Sequence, residues 1–236
     1  MEKTYEKLLT ELEEHLKYFS QIGVDFIFKD FFKQQKPKKS VLKQESVLSL
    51  ESRYLSLHER IIHCQKCSLA LTRRKAVPGE GNLKADLMFV GEAPGADEDI
   101  QGKPFVGKAG QLLTKIINAM NLKRKDVYIT NIVKCRPPGN RNPLGKEIER
   151  CKEYLFEQIE IMKPRIIVAL GSVPAHFFIP DKIKISDLRG NIYDFNGIKI
   201  MPTFHPSYLV RNEANKMLKR MVWEDMKKVM AFLDKE

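Results

Sequence analysis

The chain reads LMFVGEAPG at residues 87–95, four apolar residues followed by a turn with two glycines, a proline and a carboxylate. A short apolar run that ends in turn residues is typical of a buried strand in a parallel sheet. The same pattern returns at residues 127–130 and 166–170, and helical stretches at 108–120 and 146–162 lie between these runs. This alternation predicts an α/β fold, a three-layer α/β/α sandwich with a central parallel sheet.

The C-terminal part of the chain adds a hairpin and a closing helix to this pattern. Residues 191–195 and 198–204 are separated by Asn196-Gly197, a dipeptide that strongly favours a two-residue hairpin turn. Residues 213–233 carry apolar side chains at helical spacing, which predicts an amphipathic helix packed on the sheet.

The N-terminal part has a different character. Residues 5–19 predict an amphipathic helix, and a lysine- and proline-rich linker follows, so we assign 1–45 to a helical extension and 46–236 to the main domain. Four residues of the extension have roughly the spacing of a peptide that binds a sliding clamp: Gln21, Val24, Ile27 and Phe28. We favour packing of this helix on its own domain over clamp binding, because its apolar face must be buried somewhere.

Composition indicates a polyanionic partner. The 236 residues include 41 Lys and Arg against 30 Asp and Glu, a net charge of +11. Such a surplus favours nucleic acid, although a basic surface alone would also explain it. No apolar run reaches the ~20 residues of a membrane span, and the N-terminus lacks a signal peptide. We therefore expect a cytoplasmic monomer with reduced thiols and no membrane contact.

Polar residues follow the predicted strands at the points where they end. They are Glu92 in the turn at 91–95, Asn131, Ser172 after Gly171, and His205. In a parallel sheet the carboxyl ends of the strands border the ligand crevice, so these side chains are expected to converge. Taken singly, Asn131 could cap a turn and His205 could be a core histidine. Their common position predicts a functional site.

Four cysteines form a second candidate site: Cys64, Cys67, Cys135 and Cys151. The first two are spaced as a C-x2-C pair, whereas the last two are separated by fifteen residues. Structural zinc usually takes two close pairs. Four thiolates from separated segments suit a [4Fe–4S] cluster at least as well, so the spacing predicts a metal site and leaves zinc and iron–sulfur open.

Four motifs stand in order along the main domain: GEAPG at 91–95, GKPFVG at 102–107, TNIVKCRPP at 130–138 and HPS at 205–207. Together with the cysteines they resemble the iron–sulfur (family 4) uracil-DNA glycosylases over about residues 60–236. The resemblance implies a uracil-DNA glycosylase-like fold, a [4Fe–4S] cluster on the four cysteines, and excision of uracil from single- or double-stranded DNA in base-excision repair.

The same resemblance implies roles for the pocket residues. Phe105 would stack on uracil, Asn131 would read its N3–H and O4 edge, and His205 would donate to O2 as the glycosidic bond breaks. The backbone at Glu92 and Ala93 would complete the pocket. A carboxylate, Glu92 or Glu98, would assist a cationic transition state, and the resemblance does not choose between the two.

Other residues of the resemblance would contact DNA. Pro94, Ser172 and Ser207 lie in the loops that would hold the backbone. Leu209 stands where an apolar wedge would enter the base stack, with Arg211 beside it. The alternative for Leu209 is packing under the C-terminal helix.

Two other functions are compatible with part of the pattern. A related group stays covalently attached to DNA through a histidine in an inserted basic loop, but the segment 136–141 contains no histidine. A non-catalytic iron–sulfur DNA-binding module is the second alternative. It would be expected to lack Asn131 and His205, and both are present. The sequence therefore favours an enzyme that turns over.

Overall fold

The computed structural model describes residues 49–180 and 183–234. The predicted helix at 5–19 and the clamp-like spacing between Gln21 and Phe28 lie outside these residues. Most of the main domain can therefore be compared with the expectations from sequence.

A six-stranded mixed sheet lies at the centre of the described residues, in the order β1-β3-β2-β4-β6-β5. Its strands are β1 (Glu80–Gly81), β2 (Leu87–Gly91), β3 (Tyr128–Asn131), β4 (Ile166–Leu170), β5 (Tyr193–Phe195) and β6 (Ile198–Thr203). The four inner strands are parallel, whereas β1 and β5 pair antiparallel at the two edges. The predicted parallel centre is confirmed, and the edge strands make the sheet mixed.

Helices cover both faces of the sheet. They are α1 (Leu50–Ile62), α2 (Leu69–Thr72), α3 (Ala96–Gln101), α4 (Lys108–Ala119), α5 (Gly145–Met162), α6 (Ser172–Phe178), α7 (Ile185–Leu188), α8 (Pro206–Arg211) and α9 (Lys216–Leu233), with 3-10 turns at Arg124–Asp126 and Pro138–Asn140. In the described ranges, none of these helices has the length and apolar character needed to cross a membrane.

Alternation along β2 explains the three layers. Met88 and Val90 join a core with α1, α5 and α6, whereas Leu87 and Phe89 join a core with α4 and α9 on the other face. Successive side chains of a strand point to opposite faces, so a strand covered on both sides is apolar throughout. Burial at all five positions of β2 therefore follows from its place inside the sandwich.

The hairpin is formed by the dipeptide that predicted it. Asn196 and Gly197 have φ values of 53° and 86°, the left-handed conformation that both central residues of such a turn require. The closing helix α9 begins at Lys216 instead of the predicted position 213, because Asn215 caps it by accepting from the backbone N–H of Met217 and Leu218.

Candidate active site

The predicted strand-end residues lie where the parallel strands of the sheet have their carboxyl ends. Gly91 and Asn131 are paired positions at the ends of β2 and β3. On the other side, the Gly171 N–H after β4 donates to the Thr203 carbonyl at the end of β6, at 2.8 Å. His205 follows two residues later. The parallel register thus brings the carboxyl ends of four adjacent strands, and the turns that follow them, to the same border.

Asn131 is the most constrained of these residues. Its side chain is 2% exposed. Among the described residues, its Oδ1 atom is the one buried side-chain nitrogen or oxygen without a hydrogen-bond partner. A methyl group added to Gly91 would lie 2.3 Å from this oxygen and 2.5 Å from Cζ of Phe105. Gly91 therefore leaves the space in which the amide and the ring stand together.

The ring of Phe105 forms a wall beside this amide. Phe105 is 5% exposed, and its ring centroid lies 5.7 Å from that of His205 with the planes inclined by 32°. The loop around it is tied by Glu98, whose Oε1 accepts from the N–H groups of Val106 and Gly107 at 2.8 and 2.9 Å. Its Oε2 accepts from the Gly95 N–H at 3.1 Å.

His205 is held in one orientation by the turn that follows it. Its Nδ1 accepts from the Ser207 N–H at 3.0 Å and lies 2.7 Å from the Ser207 hydroxyl. An Nδ1 that accepts a backbone N–H carries no proton, so the neutral ring carries its proton on Nε2. Burial, with a smaller contribution from the charge of Arg211, lowers the pKa of His205 to about 4.

The two candidate carboxylates have different surroundings. Burial raises the pKa of the Glu92 side chain, and the Glu92 carbonyl accepts from the Val133 N–H at 3.0 Å. This backbone bond ties the turn containing Ala93 to the segment after β3. The Glu98 carboxylate, in contrast, is occupied by the three N–H groups of its loop. Glu92 lies in the turn after β2, whereas Glu98 lies in α3.

Two residues near the pocket carried no expectation from sequence. Arg124 donates to the carbonyls of Pro104 and Phe105. Lys134 is 1% exposed, and its Nζ donates to the Asn131 carbonyl at 2.6 Å. Burial lowers the pKa of Lys134 to about 7. A lysine directly after the apolar pair 132–133 was the available signal for burial, whereas nothing marked Arg124.

The residues expected to contact DNA differ in exposure. Ser172 and Arg211 are exposed, Ser207 is half-buried and Pro94 is buried. Leu209 is 2% exposed and packs in a cluster with Leu218 and Val222 of α9, which agrees with the packing alternative for this residue. The amphipathic turn of α8 points Leu209 inward, toward a cluster that Leu112 and Ile116 of α4 also border. Its neighbour Tyr208 is 39% exposed.

The four cysteines lie in one neighbourhood at the margin of the core. All four are free thiols: Cys64, Cys67, Cys135 and Cys151. Burial raises the pKa of Cys135, and the nearby charges of Cys67 and Cys64 raise it further. Burial also raises the pKa of Cys151 to about 12. Within residues 49–180 and 183–234, no three His, Cys, Asp or Glu side chains converge tightly enough to hold a single metal ion.

The sequence is similar to a known protein family and to several known proteins. The sequence model described as the Uracil DNA glycosylase superfamily matches residues 78–227. A type-4 uracil-DNA glycosylase of Thermotoga maritima is 49% identical over 180 residues, covering 75% of this chain and 93% of the relative. One of Saccharolobus solfataricus is 48% identical over 180 residues, covering 72% and 82%. A type-5 enzyme of Pyrobaculum aerophilum is 30% identical over 183 residues, covering 64% and 80%.

Proposed function

The chain belongs to the uracil DNA glycosylase superfamily, and on that premise we propose how its residues excise uracil from DNA. It is a DNA-repair hydrolase that breaks the N-glycosidic bond between uracil and deoxyribose. Enzymes of this kind act on a base flipped out of the stack into a pocket. The observation that best supports the mechanism is the buried, unpaired Oδ1 of Asn131 at the end of β3.

Asn131 reads the edge of the flipped base. A buried carbonyl oxygen without a partner costs about 1–3 kcal/mol, and the N3–H of uracil would satisfy it. The Nδ2 amide of the same side chain would donate to uracil O4. Cytosine presents an acceptor at N3 and a donor at N4, so both hydrogen bonds would be lost. Discrimination of uracil from cytosine thus follows from the orientation of one amide.

His205 stabilises the departing base. When the C1′–N1 bond breaks, the electron pair leaves with uracil and negative charge develops on O2. The Nε2–H of His205 would donate to this oxygen, because Nδ1 is occupied by Ser207. Removing one such donor from a preorganised site typically costs about 3–4 kcal/mol. A neutral imidazole serves this role without first losing a proton.

Glu92 is the carboxylate that assists the sugar. A water molecule must add to C1′, which carries positive charge in the transition state, and its proton must be taken up. Glu92 would place this water and take up the proton. Glu98 is better suited to a structural role, since three backbone N–H groups already use its oxygens. Exposed Ser172 and Arg211, with Pro94 and Ser207, would face the DNA backbone.

The cysteines have the donor set of a [4Fe–4S] cluster: Cys64, Cys67, Cys135 and Cys151. Arg73 donates to Cys135 Sγ at 2.9 Å, and the Lys134 N–H donates to Cys151 Sγ at 3.3 Å. Hydrogen bonds to sulfur are a usual feature of such sites. A cluster of this kind would take these four thiolates as its ligands. When bound, the cluster would tie residues 64–67 to the loop after β3 and to α5.

A gel assay tests the proposed function. A 5′-labelled oligonucleotide with one deoxyuridine is incubated with the full chain and heated in alkali. Strand cleavage at the uracil position, with none in matched strands carrying thymidine or deoxycytidine, supports the proposal. An intact uracil strand would overturn it. Protein that stays attached to DNA after denaturation would indicate the covalent relative instead.

A further inference from the structure

Phe105 adopts a backbone conformation that a bulky residue rarely takes. Its φ is 52°, in the left-handed region that is mainly left to glycine and asparagine. Its peptide also lies directly on α4, since a methyl group added to Gly110 would stand 1.9 Å from its carbonyl carbon and oxygen. Such a conformation persists only where the surroundings hold it.

Arg124 supplies the contacts that hold it. Its Nη2 donates to the Pro104 carbonyl at 2.8 Å, and its Nη1 donates to the Phe105 carbonyl at 3.1 Å. Nη1 also donates to Oγ1 of Thr114 in α4, at 3.1 Å. One planar group thus fixes two consecutive carbonyls and ties them to the helix beneath.

Glu80 in the edge strand β1 orients this guanidinium. Its Oε1 accepts from Nε of Arg124 at 2.9 Å and from Nη2 at 2.5 Å. The side chains of Arg124 and Glu80 are 22% and 31% exposed, so the pair is shielded from much of the solvent. The guanidinium holds several N–H donors in one plane, so it can make all of these hydrogen bonds at once. A single ammonium group could not do so.

We propose that Arg124, oriented by Glu80, is a positioning residue that sets the Phe105 ring for stacking on the flipped base. The inference rests on the proposed function, because it assumes that uracil enters beside Phe105. Without the guanidinium, the backbone of Phe105 would relax toward negative φ, and the Phe105 ring would move away from His205. The stacking wall is then formed only part of the time, which weakens capture of the base.

The test is a double-mutant cycle of Arg124→Gln and Phe105→Ala, with Lys125→Gln as the control for an exposed neighbouring cation. In the wild-type background Arg124→Gln should lower kcat/KM by roughly tenfold to a hundredfold. It should raise the inhibition constant of free uracil by a similar factor. In the Phe105→Ala background it should have little further effect. Lys125→Gln should leave both values unchanged.

Arg124→Lys provides a second variant if the glutamine variant folds poorly, with melting temperatures measured for all variants. It should restore only part of the activity, since one ammonium reaches one carbonyl. Equal losses in both backgrounds, an unchanged inhibition constant, or full activity of Arg124→Lys would each overturn the role of Arg124. Wild-type protein that leaves uracil in DNA would overturn the proposed function itself, whereas an active wild type with additive losses overturns only this inference.

Discussion

The Nδ1 atom of His205 accepts a hydrogen bond from the backbone N–H of Ser207 at 3.0 Å. This bond puts the proton of the neutral ring on Nε2, the atom that would meet uracil O2. Burial of the imidazole lowers the pKa of His205 to about 4 from an ordinary value of 6.5, so the neutral form persists far into acid. The bond from Ser207 thus sets the orientation and tautomer of the donor, and burial sets its charge state.

The pH dependence of excision tests this arrangement. A lowered pKa means that His205 becomes charged only as the pH falls through about 4. The single-turnover rate should therefore show no decline from His205 near pH 6.5, and its acid limb should follow Glu92, whose pKa is raised by burial. Rates would be measured for wild type and Glu92→Gln from roughly pH 4.5 to 8.5, the range in which carboxylates and imidazoles titrate. An inflection near 6.5 in both proteins would contradict the prediction.

Asn131→Asp should abolish most of the recognition of uracil. The aspartate loses the donor to O4 and places a negative charge opposite that oxygen, so excision should fall about a hundredfold or more. Affinity for DNA should change little, because phosphate contacts supply most of it. Single-turnover rates and fluorescence anisotropy separate these effects. Asn118→Asp, at an exposed position of α4, is the matched control. Parallel losses of binding and catalysis would argue against Asn131 as the base reader.

Apolar strands and their end residues were the predictable part of this molecule. The apolar run at 87–90 favours a strand that is buried on both faces. Parallel pairing of this strand with β3 then places Gly91 beside Asn131. What sequence left undetermined depends on contacts from distant segments. Leu209 is buried because residues of α4 and α9 surround it, and Arg124 finds its partners in β1, the loop at 104–105 and α4. Neither relationship has a local signature.

Glu92→Gln and Glu98→Gln should separate chemistry from loop structure. Glu92→Gln should slow excision by about 10²–10⁴-fold, the usual contribution of a positioned acid or base, without lowering the melting temperature. Glu98→Gln replaces an oxygen that accepts backbone N–H groups by a donor, so it should destabilise the fold by about 1–3 kcal/mol. Thermal unfolding and single-turnover rates would be compared for both. A stable Glu98→Gln protein without activity would reverse the two roles.

Iron content tests the cysteine site independently of activity. Protein purified without oxygen should be brown, with broad absorption near roughly 400 nm and about four irons per chain. Cys135→Ser should lose this absorption and melt at lower temperature, because the site ties residues 64–67 to the loop after β3. Gln65→Ala, an exposed change between the same two ligands, serves as the control. Stoichiometric zinc in such a preparation would show that the site is not iron–sulfur.

Leu209 and Tyr208 are adjacent residues with opposite expected effects. Leu209 packs with Leu218 and Val222, so Leu209→Ala should reduce the free energy of unfolding by about 2–5 kcal/mol, the usual cost of such a cavity. Tyr208 is 39% exposed on the same turn, and its ring centroid lies 5.4 Å from that of Phe204, so Tyr208→Ala should cost less, about 0.5–1.5 kcal/mol. An exposed ring at this position could hold the DNA duplex open around the flipped base. In that case Tyr208→Ala should slow excision from duplex DNA more than excision from single-stranded DNA, where no stacking must be disrupted. Denaturant unfolding and paired rates on the two substrates measure both effects. A stable Leu209→Ala protein with a selective defect on duplex DNA would return the wedge to Leu209, because only a side chain that leaves the core could act in that way.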